Sequence, residues 1–207
     1  MMLVWLSVLH LLIGVLAIVP IIGWVLGIAM LGYIYATFFK LIYTTGVGYS
    51  EAPEFPDFGD AFESMLIPLL KMAIVHLFAY LPYLIFLYQS GGEQPFIELA
   101  LVLLANCYLP MGLMVIAMDD FTEAFNPVTV IQGIRSAGLV YWLTTIALFG
   151  AFTISELLQS AFAGSWILAA AIGSYFIMFK GRLIGSVYRE RIETPHLVVE
   201  KEAEETL

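Results

Sequence analysis

The chain holds a single cysteine, Cys107, and only eight lysines and arginines in 207 residues. One thiol excludes an intrachain disulfide and any zinc site built from several thiolates, and it leaves the redox compartment unread. Charged residues make up 12% of the chain while 61% is hydrophobic, too little polar cover for a water-soluble globule of this size. Basic charge is scarce against 17 acids, which disfavours nucleic acid as a partner. Enzyme signatures are also missing: there is no Walker loop, dinucleotide fingerprint, histidine–glutamate metalloprotease helix or serine in a nucleophile-elbow context. A non-enzymatic protein is the expectation.

What the chain does have is long apolar runs, with a mean hydropathy of +0.94. Spans are placed at 2–19, 22–43, 66–88, 96–118, 137–160 and 165–187, against the ~20 residues that cross a ~30 Å hydrocarbon layer. The expected fold class is all-α: a polytopic membrane bundle of six helices in three hairpins, forming one domain over 1–190 with an acidic cytoplasmic tail at 191–207. Residues 2–39 are continuously apolar, with Pro20 and Gly23 as the only turn punctuation, so a re-entrant first pair is the alternative there. The first residues lack a basic n-region and read as a retained helix rather than a cleaved signal. Lys40, Lys71, Arg135, Lys180, Arg182, Arg189, Arg191 and Lys201 all fall at alternate boundaries of these runs. The positive-inside rule then puts both termini in the cytoplasm, and the basic cluster around Lys180 reads as anchoring at anionic headgroups. Trp5 and Trp142 near the inner boundary, and Trp24 and Trp166 near the outer one, match an aromatic belt.

A short motif recurs. Asp57-Phe58-Gly59-Asp60-Ala61-Phe62 reappears as Asp120-Phe121-Thr122-Glu123-Ala124-Phe125, each copy preceding a hairpin. The leading Asp suits a helix N-cap, the acid three residues on suits a capping box, and phenylalanines at i and i+4 share a face. The reading is a short amphipathic helix on the inner surface. Asp57, Phe58, Asp60, Phe62, Asp120, Phe121, Glu123 and Phe125 are therefore the candidate partner-binding residues. The surrounding acidic segment, with Glu51, Glu54 and Glu63, is the longest soluble connection and the expected docking surface. Because each unit carries two spans, the repeat is parallel, unlike the inverted repeats of several transporter folds.

Polar groups inside the spans are costly in lipid and mark places to look for chemistry. His10 and His76 fall at similar depth, and two imidazoles at one depth can ligate haem b or hydrogen-bond a quinone. Two neutral histidines bonded to neighbouring carbonyls are the plainer reading. Pro82 and Pro110 interrupt spans three and four, near Asn106, Thr144 and Thr145. Glu98 and Glu156 lie near the outer interface and read as exposed. Gly23, Gly27, Ala169, Ala170, Gly173, Gly181 and Gly185 read as close-packing positions.

The run Pro56 to Phe62, and the run Asp119 to Pro127 followed by Val130-Ile131-Gln132-Gly133-Ile134, resemble a prokaryotic family of small polytopic membrane proteins designated only as a domain of unknown function. The likeness covers most of residues 1–190 and includes the Gly32-Tyr33 pair that closes a glycine-rich first hairpin. It implies a helical bundle in the prokaryotic cytoplasmic (inner) membrane and brings no catalytic residues.

Three functions are compatible with these features. The leading expectation is an accessory, assembly or scaffold subunit that packs against other membrane protein subunits and the lipid bilayer. A small-solute or lipid transporter or channel using the kinked spans is the second. The third is an electron-transfer subunit carrying haem b or quinone at His10 and His76.

Overall fold

Three of the five long helices start on proline, whose fixed φ and missing N–H suit the first helical turn. A computed structural model describes residues 4–9, 20–49, 62–118, 121–162 and 164–189. The long helices are α1 (Pro20–Gly46), α2 (Ile67–Ser90), α3 (Pro95–Ala117), α4 (Pro127–Ala161) and α5 (Trp166–Tyr188). A π-helical turn, Phe62–Leu66, leads into α2, and a 3-10 turn, Glu123–Phe125, precedes α4. Among the described residues every regular element is helical, and five helices are long and apolar enough to cross a membrane.

These helices fall close to the last five expected spans. The first expected span, 2–19, lies mostly outside the described residues, as do the Pro20-Gly23 side chains that would define its turn. Residues 4–9 are helical, with Leu6 and Leu9 buried in a cluster with Tyr33, Ile34 and Leu41.

Helix ends follow local chemistry. Gly91, at φ 62°, closes α2 in the left-handed conformation, its N–H donating to the Leu87 carbonyl at 3.0 Å. Asn126 caps α4, its side-chain oxygen accepting from the Val128 N–H at 3.1 Å. Inside α4, Gly138 stands at φ 57°, ψ −134°, so the helix breaks there into a leading segment and a span-length one. That break coincides with the expected span start at 137.

Helix α3 is the hub, touching all four of the others. Its C-terminal half, including Leu109, Met111, Leu113, Met114 and Ile116, is buried in the main core. Pro110 disturbs the α3 ladder, and the Tyr141 hydroxyl of α4 donates to the neighbouring Cys107 carbonyl. Helices α1 and α5 run parallel in close contact. A Cβ on Gly185 would lie 2.5 Å from the Ile42 carbonyl oxygen, and one on Gly181 would lie 3.1 Å from the Leu41 side chain. These two glycines are packing positions, as expected. Gly27 has open space around it and Gly173 only the Gln159 side chain nearby, so neither brings two helix backbones together.

The outward faces are apolar. Leu70, Ile74, Leu77, Leu81, Leu84 and Tyr88 recur at helical spacing along α2, and every one is exposed, Leu77 by 57%. On α4, Leu139, Leu143 and Ile146 form a similar stripe. Contiguous apolar surface on this scale is not left facing water by a soluble monomer.

Candidate functional site

Five helices converge on one cleft of about 680 Å³, lined by side chains from each of them. Polar groups are spread around its wall: Tyr35 from α1, His76 and Tyr80 from α2, Asn106 from α3, Thr145 from α4 and Lys180 from α5. Apolar residues fill the remainder, among them Leu109, Leu113, Leu148, Phe149, Phe152 and Ile184.

Local hydrogen bonds fix several of the polar groups. His76 Nδ1 lies 2.9 Å from the Met72 carbonyl oxygen, which can only accept, so that nitrogen carries the proton and Nε2 is left for the cleft. Asn106 Nδ2 donates to the Val102 carbonyl at 2.8 Å, leaving its second N–H and its Oδ1. Thr145 Oγ1 donates to the Tyr141 carbonyl at 2.9 Å. Each helix thus satisfies its own side chain one turn back and still presents unused hydrogen-bonding capacity inward.

Lys180 departs from the sequence expectation. The basic cluster suggests an anchor at the headgroups, but Lys180 lies about two turns, roughly 12 Å, before the end of α5 and lines the cleft. Its Nζ stands 5.8 Å from the centroid of the Phe152 ring, a cation–π contact. Glu156, one turn beyond Phe152 and exposed, acts on it electrostatically, but among the described residues no carboxylate forms an ion pair with it. At the centre of a spanning helix a lysine costs about 2.5–3.5 kcal/mol on insertion scales, and lysines within spans face bundle interiors or cavities. Part of the signal was present in the sequence. Lys180 and Arg182 are two positions apart, about 200° around a helix, so they cannot share a face. Arg182 is exposed and Lys180 is half-buried.

The structure sorts the other candidates. His76 is in the cleft, while His10 lies outside the described residues, so the two are not brought together here as a haem or quinone pair. Among the described residues no group of three or more His, Cys, Asp or Glu could hold a metal ion. Of the three polar residues singled out near the kinks, Asn106 and Thr145 line the cleft. Thr144 points instead into a tight contact with Pro110, Tyr141 and Ile184. Glu98 accepts from the Ser90 hydroxyl at 3.4 Å, across the α2–α3 turn.

Asp57, Phe58, Asp60 and Asp120 lie outside the described residues, as does the Phe62 side chain. The rest of the second motif copy is committed to contacts within the chain. Phe121 and Phe125 meet edge to face at 4.9 Å, Phe125 meets Phe78 at 5.3 Å, and Phe78 meets Tyr108 at 5.8 Å. The Tyr108 hydroxyl donates to the Ala124 carbonyl. Glu123 accepts from the Thr129 hydroxyl and from Asn126 Nδ2 at 3.1 Å. The expected surface helix is therefore a 3-10 turn docked on α2 and α3, held by its aromatic residues because Phe78 and Tyr108 offer rings at the matching depth. Asn126 then caps α4, whereas Asp120, the expected cap of the motif helix, lies outside the described residues.

At the basic end of the bundle a second cavity, about 480 Å³, is lined by Lys40, Lys71, Glu63, Ser64 and Tyr43 with the end of α3. Lys40, Lys71 and Arg189, the last beside Gly48, gather at this one end. That grouping agrees with the alternation of basic residues along the sequence.

Compared with protein-family models, curated proteins and solved structures, the chain matches none.

Proposed function

We propose that the chain is an integral membrane protein that binds a small molecule in the central cleft of its bundle and handles it as a solute or lipid transporter or channel. The observation that carries this reading is the convergence of Tyr35, His76, Tyr80, Asn106, Thr145 and Lys180, from five different helices, on one cavity. A bundle whose only task is packing gains nothing from polar groups and a lysine within its spans, since each is costly in lipid. The cavity also falls within the ~300–1,000 Å³ typical of small-molecule sites. Pro110, at the cleft wall, supplies the helix irregularity that such sites use where backbone lines a cavity.

The test is flux or exchange of solutes and lipids in proteoliposomes containing the purified protein, combined with mass spectrometry for molecules that co-purify. Protein-free rates, with nothing retained by the purified protein, would defeat the proposal. The accessory, assembly or scaffold role rests on a different part of the chain, the acidic segment 51–61, and on the absence of enzyme motifs. Stoichiometric partners in a gentle detergent extract of the native membrane would favour it. The same reading places the protein in a prokaryotic cytoplasmic membrane with the basic end of the bundle inside.

A further inference from the structure

We infer that the ligand of the central cleft is an amphiphile with a single anionic head, carboxylate or phosphate, seated at Lys180; this rests on the proposed binding role of the cleft. The charge balance of the wall selects the head. Among the described residues Lys180 is the one charged side chain lining the cavity and no aspartate or glutamate lines it, Glu156 acting on Lys180 from its exposed position outside that lining. An ammonium in apolar surroundings, with no carboxylate ion-paired to it among the described residues, attracts an anion and repels metal ions and cationic solutes.

The neutral groups agree. The hydroxyls of Tyr35 and Tyr80 and the spare N–H of Asn106 are donors that lining the same cavity makes available to anionic oxygens. Donors alone would equally suit a small inorganic anion, but the remaining wall would not. Leu109, Leu113, Leu148, Phe149 and Phe152 give such an ion no partner, whereas they suit a hydrocarbon chain. The contact of Lys180 with Phe152 places the charged and apolar parts of the wall side by side, as one amphiphile requires.

The experiment is equilibrium binding to the full-length protein in nanodiscs of zwitterionic lipid. The probes are dodecanoate, dodecyl phosphate, dodecanol, dodecyltrimethylammonium, acetate and inorganic phosphate. Dodecanoate and dodecyl phosphate should bind saturably, about tenfold or more tighter than dodecanol and the cation, the scale of one charge-assisted contact. K180Q should abolish that preference, K180R should retain it, and K71Q, at the second cavity, should leave it unchanged. Because the probe series is read on the wild-type protein, a variant that fails to fold does not remove the test. Dodecanol binding as tightly as dodecanoate would overturn the anionic head while leaving the cleft a binding site. Acetate or phosphate binding as tightly as the amphiphiles would overturn the hydrocarbon part. A protein that binds none of the six probes and co-purifies with no small molecule would overturn the inference and the proposed function together.

Discussion

The Tyr141 hydroxyl of α4 donates to the Cys107 carbonyl of α3, three residues before Pro110. Pro110 has no N–H to give the Asn106 carbonyl four residues back, so the α3 ladder is one bond short beside Cys107. Tyr141 is almost fully buried and brings a donor from the neighbouring helix to the carbonyl next to that gap. The bond ties α3 to the wall of the cleft, since Pro110 and Thr145, one turn on from Tyr141, both line that cavity.

Replacing Tyr141 with Phe removes this bond and leaves the ring. We expect a loss of about 1 kcal/mol in unfolding free energy, the net worth of one hydrogen bond, read as a lower denaturation midpoint in detergent. Tyr141→Ala, which also empties the core, should cost about 3–5 kcal/mol. Equal midpoints for Y141F and wild type would mean that the hydroxyl carries no stability.

Glycine-to-alanine substitutions should rank by what the new methyl meets. At Gly185 it would stand 2.5 Å from a backbone carbonyl oxygen, and at Gly32 it would overlap the Met65 carbonyl, so both variants should lose about 1–3 kcal/mol or more. At Gly181 the neighbours are movable side chains, and at Gly27 there is open space. Thermal melts should therefore order G27A nearest wild type, then G181A, then G185A and G32A. A G185A protein as stable as G27A would contradict the close packing of α1 and α5.

Gly138 sits where L-residues are strained, and its angles make the break in α4. Gly138→Ala should cost about 1–3 kcal/mol. It should also weaken the Phe125–Phe78 docking, visible as faster proteolysis around residues 121–126. Asn126→Ala, which removes the cap, should cost about 1 kcal/mol without that local opening.

The orientation has a direct check. In a Cys107→Ser background, a cysteine at Glu93, in the exposed α2–α3 turn, should react with an impermeant thiol reagent on intact cells. One at Tyr49, beyond the basic end of α1, should react only after permeabilisation. The reverse pattern would invert the topology drawn from the basic residues.

The sequence alone determined the elements. Long apolar runs are local features, and a helix in lipid must satisfy its own backbone, so α1, α2, α3 and α5 were legible to within a few residues and α4 only from Gly138 onward. The span start near 137 was legible for the same reason, although the glycine break that produces it was not. The gathering of basic residues at one end followed from counting charges against spans.

The cleft was only half legible. His76, Asn106 and Thr145 stand out as polar groups in apolar runs, but Lys180 lies near other cations in the sequence and looks like an interface residue there. Which face of a helix meets its neighbours depends on the packing of five helices around α3, and nothing in α5 alone states that Lys180 rather than Arg182 turns inward. The repeat motif shows the same division. Its residues announce a turn before a helix, but whether that turn lies on the membrane surface or docks in the bundle depends on Phe78 and Tyr108, which come from two other helices. Tertiary packing brought these groups together because, in lipid, side-chain contact between helices selects the arrangement, while hydrophobicity, which the sequence displays so plainly, favours every arrangement almost equally.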